Sequence, residues 1–284
     1  MKHNKNKKSI ESEHSMKKLS GVANTLFVPL AARIAVSKQF PEYFYDERAL
    51  ALDSNIPMEL RQGTSEYSNM ASASRYYQMD KMVSAFLAKH VKANIIFLGA
   101  GLETAYFRLF EANEHAEINF YEIDLPEAIE VRRELLGIGE REQLIAADVF
   151  KMTWLDGIDL SLPTLMLASG LFQYFHEEDV LNFIKTIKSK FPKAELIFDA
   201  VSETGLKYSN RFIKKTGNKD ALMHFHANDA TAFADKTDTA LLAEKVFFSD
   251  ALQKLGKKLK WLTRLFMRIT DKKKRLVIVH LSLN

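Results

Sequence analysis

Asn94-Ile95-Ile96-Phe97-Leu98-Gly99-Ala100-Gly101-Leu102-Glu103-Thr104 decides how this chain is read. An unbroken apolar run, then a glycine turn, then a helix start describes a strand buried on both faces that feeds a helix. Gly99 and Gly101 let the chain turn sharply and let a ligand approach the backbone with no Cβ in the way. The free N–H groups of the helix beginning near Leu102 would point at that ligand. Two glycines alone fit any strand-to-helix turn, so the next runs matter. Glu117-Ile118-Asn119-Phe120-Tyr121-Glu122-Ile123-Asp124 ends in acids, Glu122 lying 21 positions after Gly101. In nucleotide-binding βαβ units an acid near that distance accepts hydrogen bonds from both ribose hydroxyls. Gln143-Leu144-Ile145-Ala146-Ala147-Asp148 again ends in an acid. Three strands finishing on small or acidic residues share one carboxyl edge of a sheet, where open α/β sheets bind ligands.

Composition sets the outer bounds. The 284 residues fit one large domain, or one domain with a helical cap. A hydrophobic share of 47% is ample for a core. The net charge of +4 is modest, and much of it sits near the start and in Lys272-Lys273-Lys274-Arg275, which argues against a nucleic-acid partner. Cysteine is absent, which excludes disulfides and thiolate metal sites, and no metal site is read elsewhere. No apolar run approaches the roughly 20 residues of a membrane span, and the start lacks a signal-peptide core. A cytoplasmic protein is expected.

Residues 1–18 read as a flexible basic tail and 19–90 as an N-terminal helical cap. Within that cap Leu19 to Ala51 is helical with breaks at Pro41 and Asp46, Asp53 to Gly63 is loop, and Ser72 to His90 is an amphipathic helix. The remainder, 91–284, alternates strands with helices. Pro163 to Gly170 is a fourth strand, His176 opens a helix to about Lys190, and Glu195 to Ala200 is a fifth strand. A polar, lid-like insertion spans about 203–234. Lys245 to Phe248 is a short strand, followed by helices at Asp250 to Leu255 and Leu262 to Thr270. Arg275 to Leu281 is the last strand. This alternation specifies a doubly wound, mostly parallel α/β sheet.

The wording of several segments resembles the leucine carboxyl methyltransferase superfamily of class I S-adenosylmethionine-dependent methyltransferases. Its bacterial branch, the O-methyltransferases of the tetracenomycin polyketide synthesis type, is the nearest likeness. Ser20 to Leu26 with Pro29 to Arg33 resembles the family's N-terminal helix, and Leu98 to Thr104 with Arg108-Leu109 its glycine motif. Tyr121-Glu122-Ile123-Asp124-Leu125-Pro126 is the most specific match, and Ser169 to Tyr174 resembles the fourth-strand motif. The likeness runs from about Leu19 to Leu283. It implies a seven-stranded Rossmann-like methyltransferase sheet.

By position, the resemblance gives Arg75 the methionine carboxylate of the cofactor, a role suited to a planar guanidinium fork. Gly99, Ala100 and Gly101 would lie against the methionine part, and Ser169 beside it. Glu122 would hold the ribose hydroxyls, with Asp124 as a supporting or rival acceptor. Asp148 would accept the adenine amino group, and the backbone at Val149 would contact the ring. Asp148 also reads as a plain helix-capping aspartate. Tyr174 matches a family tyrosine near the transfer site, and His176, His224 and His226 are the bases available for a hydroxyl acceptor. Ser169 stands where the family has an acid, and Ala105 where it has an arginine. Both departures fall near the expected methionine end. The resemblance implies O-methylation of a small-molecule acceptor such as a polyketide-like metabolite, at a carboxyl or hydroxyl oxygen, with S-adenosylhomocysteine as product. Two other classes stay open. A degenerate methyltransferase fold with a binding or regulatory role is the first. An NAD(P)-dependent oxidoreductase is the second, against which stands the missing third glycine.

Overall fold

The computed structural model describes residues 22–56, 64–110, 117–216 and 222–284. Three helices come first: α1 (Val22–Gln39), α2 (Glu47–Ala51) and α3 (Glu66–Leu87). Then follow β1 (Lys92–Leu98), α4 (Ala105–Phe110), β2 (Glu117–Asp124), α5 (Pro126–Leu136) and β3 (Glu142–Ala146). After them come β4 (Thr164–Ala168), α6 (Glu177–Lys190), β5 (Ala194–Val201), α7 (Glu203–Thr216) and α8 (Ala230–Thr237). The chain closes with β6 (Ala240–Val246), α9 (Ser249–Leu255), α10 (Trp261–Lys272) and β7 (Leu276–Ser282).

Among the described residues the seven strands form one sheet in the order β3-β2-β1-β4-β5-β7-β6. Pairing is parallel from β3 to β5, and β7 runs antiparallel to both β5 and β6. The order reverses between β1 and β4, which opens a crevice beyond their carboxyl ends. The expected doubly wound sheet is therefore present, with an antiparallel strand near one edge.

Strand alternation sorts the core into two layers. Ile95 and Phe97 of β1 pack with Leu165, Leu167, Ile197 and Ile278 beneath Met70, Val83 and Phe86 of α3. Ile96 and Leu98 face the other way, with Met166, Phe198 and Val279 beneath Phe183 and Ile187 of α6 and Phe233 of α8. A third cluster joins α1, α2 and α5 through Leu30, Ile34, Ala49, Val131 and Leu136. It seats the N-terminal helices beside the glycine turn.

Most expected elements stand within a few residues of their sequence limits. The sixth strand does not: it occupies Ala240–Val246, ahead of the expected Lys245 to Phe248. Its apolar run, Ala240-Leu241-Leu242-Ala243, is exposed or half-buried, because it is an edge strand. Phe247 and Phe248 are buried beyond its end, in the core. The expected tail at 1–18 lies outside the described residues. Around 203–234 the chain holds α7 and the start of α8.

Candidate active site

A cavity of about 1830 Å³ opens over the switch point between β1 and β4. The turns after β1, β2 and β4 line it, together with α3, α10 and the start of α7. Gly99 (φ +64°) and Gly101 (φ +50°) both line it in the left-handed region that favours glycine. A Cβ on Gly99 would stand 2.7 Å from Leu171 Cδ1, so a side chain there would have to displace that leucine.

Arg75, in the middle of α3, reaches this turn from the helix layer. Its Nη1 donates to Asp199 Oδ2 at 3.1 Å, and Asp199 Oδ1 accepts from the Gly170 N–H at 2.5 Å. One carboxylate at the end of β5 thus fixes both the arginine and the backbone after β4. Burial opposes the Arg75 charge, yet Asp199 outweighs it and raises the pKa. The Arg75 Nε and the Ser169 Oγ are buried without a hydrogen-bond partner among the described residues. Both residues line the cavity, so donor capacity is left for a ligand.

Asp124 and Glu122 separate sharply. Asp124 lines the cavity, where Oδ2 accepts from the Gly101 N–H and Oδ1 from the Leu125 N–H, both at 2.7 Å. Burial raises its pKa, although those two N–H groups pull it down. Glu122 is fully buried, does not line the cavity, and pairs with Arg132 Nη2 at 3.0 Å. Placing Glu122 at the ribose is therefore corrected. It sits two residues, roughly 6–7 Å, back from the strand end, beneath the helices rather than at the edge. Burial drives its pKa well above the usual carboxylate range against the opposing pull of Arg132, and the neighbouring Glu142 and Glu103 charges add to the rise.

Two buried charge clusters brace the glycine turn from behind. Arg132 donates to the carbonyls of Gly101 and Glu103 and to Glu142 Oε1. Arg33 of α1 donates to the Leu102 carbonyl and to Asp46 Oδ2. Arg108 of α4 pairs with Asp46 and Glu103 at 2.9 Å and with Asp80 at 2.8 Å. Three consecutive carbonyls of the turn are thereby held by buried arginines from α1 and α5.

Ala100, Ser169 and Tyr174 line the cavity. His176 does not. It is exposed at the start of α6, its ring 4.6 Å from that of His224, so it is not placed as a base for this cavity. Asp148 and Val149 are not among the residues lining the cavity. Asp148 Oδ1 accepts from the Phe150 N–H, which is the capping alternative, while its carboxylate remains partly exposed. Ala105 is almost fully buried in the core and does not line the cavity, so that departure lies away from the methionine end. Asp199 and Arg33 were not singled out from the sequence. The signal for Asp199 was an acid inside the apolar stretch Leu196 to Val201, which burial tolerates only with partners.

Residues 29–188 match the family model for leucine carboxyl methyltransferase. The chain belongs to the leucine carboxyl methyltransferase family. It is 27% identical over 203 residues to the tetracenomycin polyketide synthesis O-methyltransferase TcmP of Streptomyces glaucescens, covering 70% of this chain and 74% of that one. Human tRNA wybutosine-synthesizing protein 4 is also 27% identical, over 135 residues that make up 37% of this chain and 19% of that protein. In fold, a candidate methyltransferase from Thermobifida fusca YX superposes with a TM-score of 0.58 at 14% identity, covering 88% of this chain and 93% of that one. A DUF574 family protein from Streptomyces avermitilis MA-4680 gives 0.57 at 14% identity, covering 88% and 96%.

Membership in the leucine carboxyl methyltransferase family makes S-adenosylmethionine the methyl donor. The cavity fits that cofactor on its own chemistry. An unsatisfied arginine donor suits a carboxylate, side-chain-free glycines suit close backbone approach, and an acid at the end of β2 suits a diol.

Proposed function

We propose that this protein is an S-adenosylmethionine-dependent O-methyltransferase acting on an oxygen of a small molecule, with a carboxyl oxygen favoured. The observation that carries this reading is the pairing of Arg75 with Asp199 and Gly170 beside Gly99 and Asp124, in one cavity at the switch point. The likeness to an O-methyltransferase over 70% of the chain supports oxygen as the acceptor atom.

The chain's own residues would divide the work by position. The spare Arg75 donor holds the methionine carboxylate, and the turn at Gly99 to Gly101 lies against the methionine part. Asp124, not Glu122, accepts from the ribose hydroxyls, and Asp148 offers its exposed oxygen to the adenine amino group beside Val149. When bound, S-adenosylmethionine supplies a methyl group already activated by its sulfonium; the carbon–sulfur bond breaks as the acceptor oxygen bonds to carbon, leaving S-adenosylhomocysteine. The protein's part is then chiefly to align acceptor and methyl group, an effect worth roughly 7–11 kcal/mol. Ser169 and Tyr174 border the space where that alignment occurs. A carboxylate acceptor needs no base at neutral pH, which agrees with a lining that holds none of the three candidate histidines. The cavity exceeds the roughly 300–1,000 Å³ of a single small-ligand pocket, leaving room for an acceptor beside the cofactor.

Calorimetric titration with S-adenosylhomocysteine tests the reading. Wild type should bind, and Asp124→Ala should lose charge-assisted hydrogen bonds worth about 1.5–3 kcal/mol of affinity. Because the Asp124 pKa is raised and its ionised form is the acceptor, affinity should begin to fall, as pH drops, above the ordinary aspartate value of about 3.9. Wild-type protein that takes up no S-adenosylhomocysteine would overturn the assignment.

A further inference from the structure

We propose that the outer face of α10 docks on an anionic phospholipid surface, the helix lying flat at the bilayer interface. The inference does not depend on which reaction the cavity performs.

α10 is fixed to the body by one side. Thr263, Met267 and Thr270 recur at helical spacing and are buried, Met267 in the core. Tyr67 of α3 adds a hydrogen bond with the Thr270 hydroxyl at 2.8 Å and an edge contact with the Phe266 ring. The outward side carries large apolar residues: Trp261 is 65% exposed, Phe266 51%, Leu262 46% and Leu265 45%. At roughly 100° of rotation per residue these four fall on one arc about 140° wide. Half-buried Ile269 lies within it. A stripe of that width usually faces a core, and one left open to solvent marks an interaction surface.

The helix and its lead-in are also basic. Lys257, Lys258, Lys260, Arg268 and Lys272 are exposed. Among the described residues only Lys258 of these makes an ion pair, with Glu42 at 2.6 Å. Arg264, Arg268 and Lys272, four residues apart, form a cationic row along one flank of the apolar arc. The one acid of the helix, Asp271, is half-buried and accepts from the Phe248 N–H. Trp, Phe and Leu on one face with Lys and Arg beside them is the arrangement of interfacial helices. The apolar side chains enter the acyl boundary while the cations meet lipid phosphates. At 12 residues, about 18 Å, α10 lies along a bilayer rather than crossing it. No helix among the described residues is long and apolar enough to cross one.

Charge separates this occupant from the others. A second copy docked face to face would bring two cationic rows together, which costs affinity. Residues 1–18 carry six Lys against two Glu, so the same cations repel them. An anionic bilayer answers both the apolar and the positive parts of the face. Trp261, Leu262 and Phe266 also line the cavity, as does the exposed Tyr208, so docking would bring the cavity rim to the lipid.

Trp261 supplies the probe for the test. The chain has two tryptophans, and the other, Trp154, is almost fully buried. Full-length protein is mixed with vesicles of phosphatidylcholine alone, or of phosphatidylcholine and phosphatidylglycerol in equal parts. Sedimentation should show binding to the mixed vesicles at least about tenfold tighter, and weaker as salt is added. Tryptophan emission should shift to the blue on the mixed vesicles and be quenched by lipid brominated on its acyl chains. Trp261→Phe should lose that shift. Leu265→Glu, and Lys257→Glu combined with Arg268→Glu, should each cut vesicle binding by at least about tenfold and leave the thermal midpoint near that of wild type. None of these three residues lines the cavity. Absent binding to the mixed vesicles would overturn the proposal. So would binding without the Trp261 shift, or binding that survives Leu265→Glu, since either puts the contact elsewhere on the chain. A vesicle-free dimer that Leu265→Glu splits would also overturn it, by giving the face to a second copy.

Discussion

Asp199 serves two partners with one carboxylate, and that decides what its loss would do. Asp199→Ala strands both the Arg75 guanidinium and the Gly170 N–H in a half-dry wall. Stability should fall by about 1–3 kcal/mol in urea titrations, and S-adenosylhomocysteine affinity should fall with it because Arg75 loses its aim. Asp199→Asn keeps a carbonyl oxygen for Gly170 and should lose less. Glu122 makes the opposite case. Its folded pKa is raised, so the stability it contributes is complete below its unfolded value of about 4.3 and is lost as pH rises toward the folded pKa. Glu122→Gln removes that loss. Its thermal midpoint, compared with wild type along a pH series, should improve as pH rises, and its cofactor affinity should stay unchanged. A drop in affinity for Glu122→Gln would return the ribose to Glu122.

At the level of elements, α1, α2 and α4 meet at Asp46, which caps α2 and one of whose oxygens Arg33 and Arg108 share. Burial works to raise the Asp46 pKa, but Arg108, Arg33 and the Thr104 hydroxyl outweigh it and hold it below the usual range. Such a depressed carboxylate stabilises the fold above its unfolded pKa, and that contribution is lost as pH falls through the folded value. Asp46→Ala leaves two buried cations short of an anion and should destabilise by about 3–5 kcal/mol, read from the denaturant midpoint. Nothing local announces this junction. Arg33 and Asp46 are 13 residues apart, and Arg108 and Asp46 are 62 apart, so no window of sequence contains the set. The strands were legible for the opposite reason. β1 and β4 are buried on both faces and write unbroken apolar runs, and the glycine turn and the acids after β2 announce themselves by type and spacing. β6 was misplaced because Phe247 and Phe248, buried in the core past its end, give a stronger apolar signal than the short Ala240–Ala243 run of an edge strand. The choice between Glu122 and Asp124 was hidden too, since both point to one face of β2 and only the strand's end separates core from cavity.

The molecule as a whole is tied together by its ligand site. Arg75, Gly99, Asp124, Gly170 and Asp199 come from five elements or their ends and converge only in the folded state. The unfolded chain therefore has no cofactor site, and S-adenosylhomocysteine must shift the folding equilibrium by mass action. At about a hundredfold over Kd the gain is about 2.7 kcal/mol. For chains of this size, roughly 2–4 °C per kcal/mol converts this to a rise of about 5–10 °C in the thermal midpoint. NADH, which meets no third glycine in the turn, should give no rise. The same dose should move Asp124→Ala less, because its Kd is higher. A midpoint indifferent to S-adenosylhomocysteine in wild type would mean that these five residues converge without forming a site. An equal shift in Asp124→Ala would leave the site standing but remove Asp124 from it.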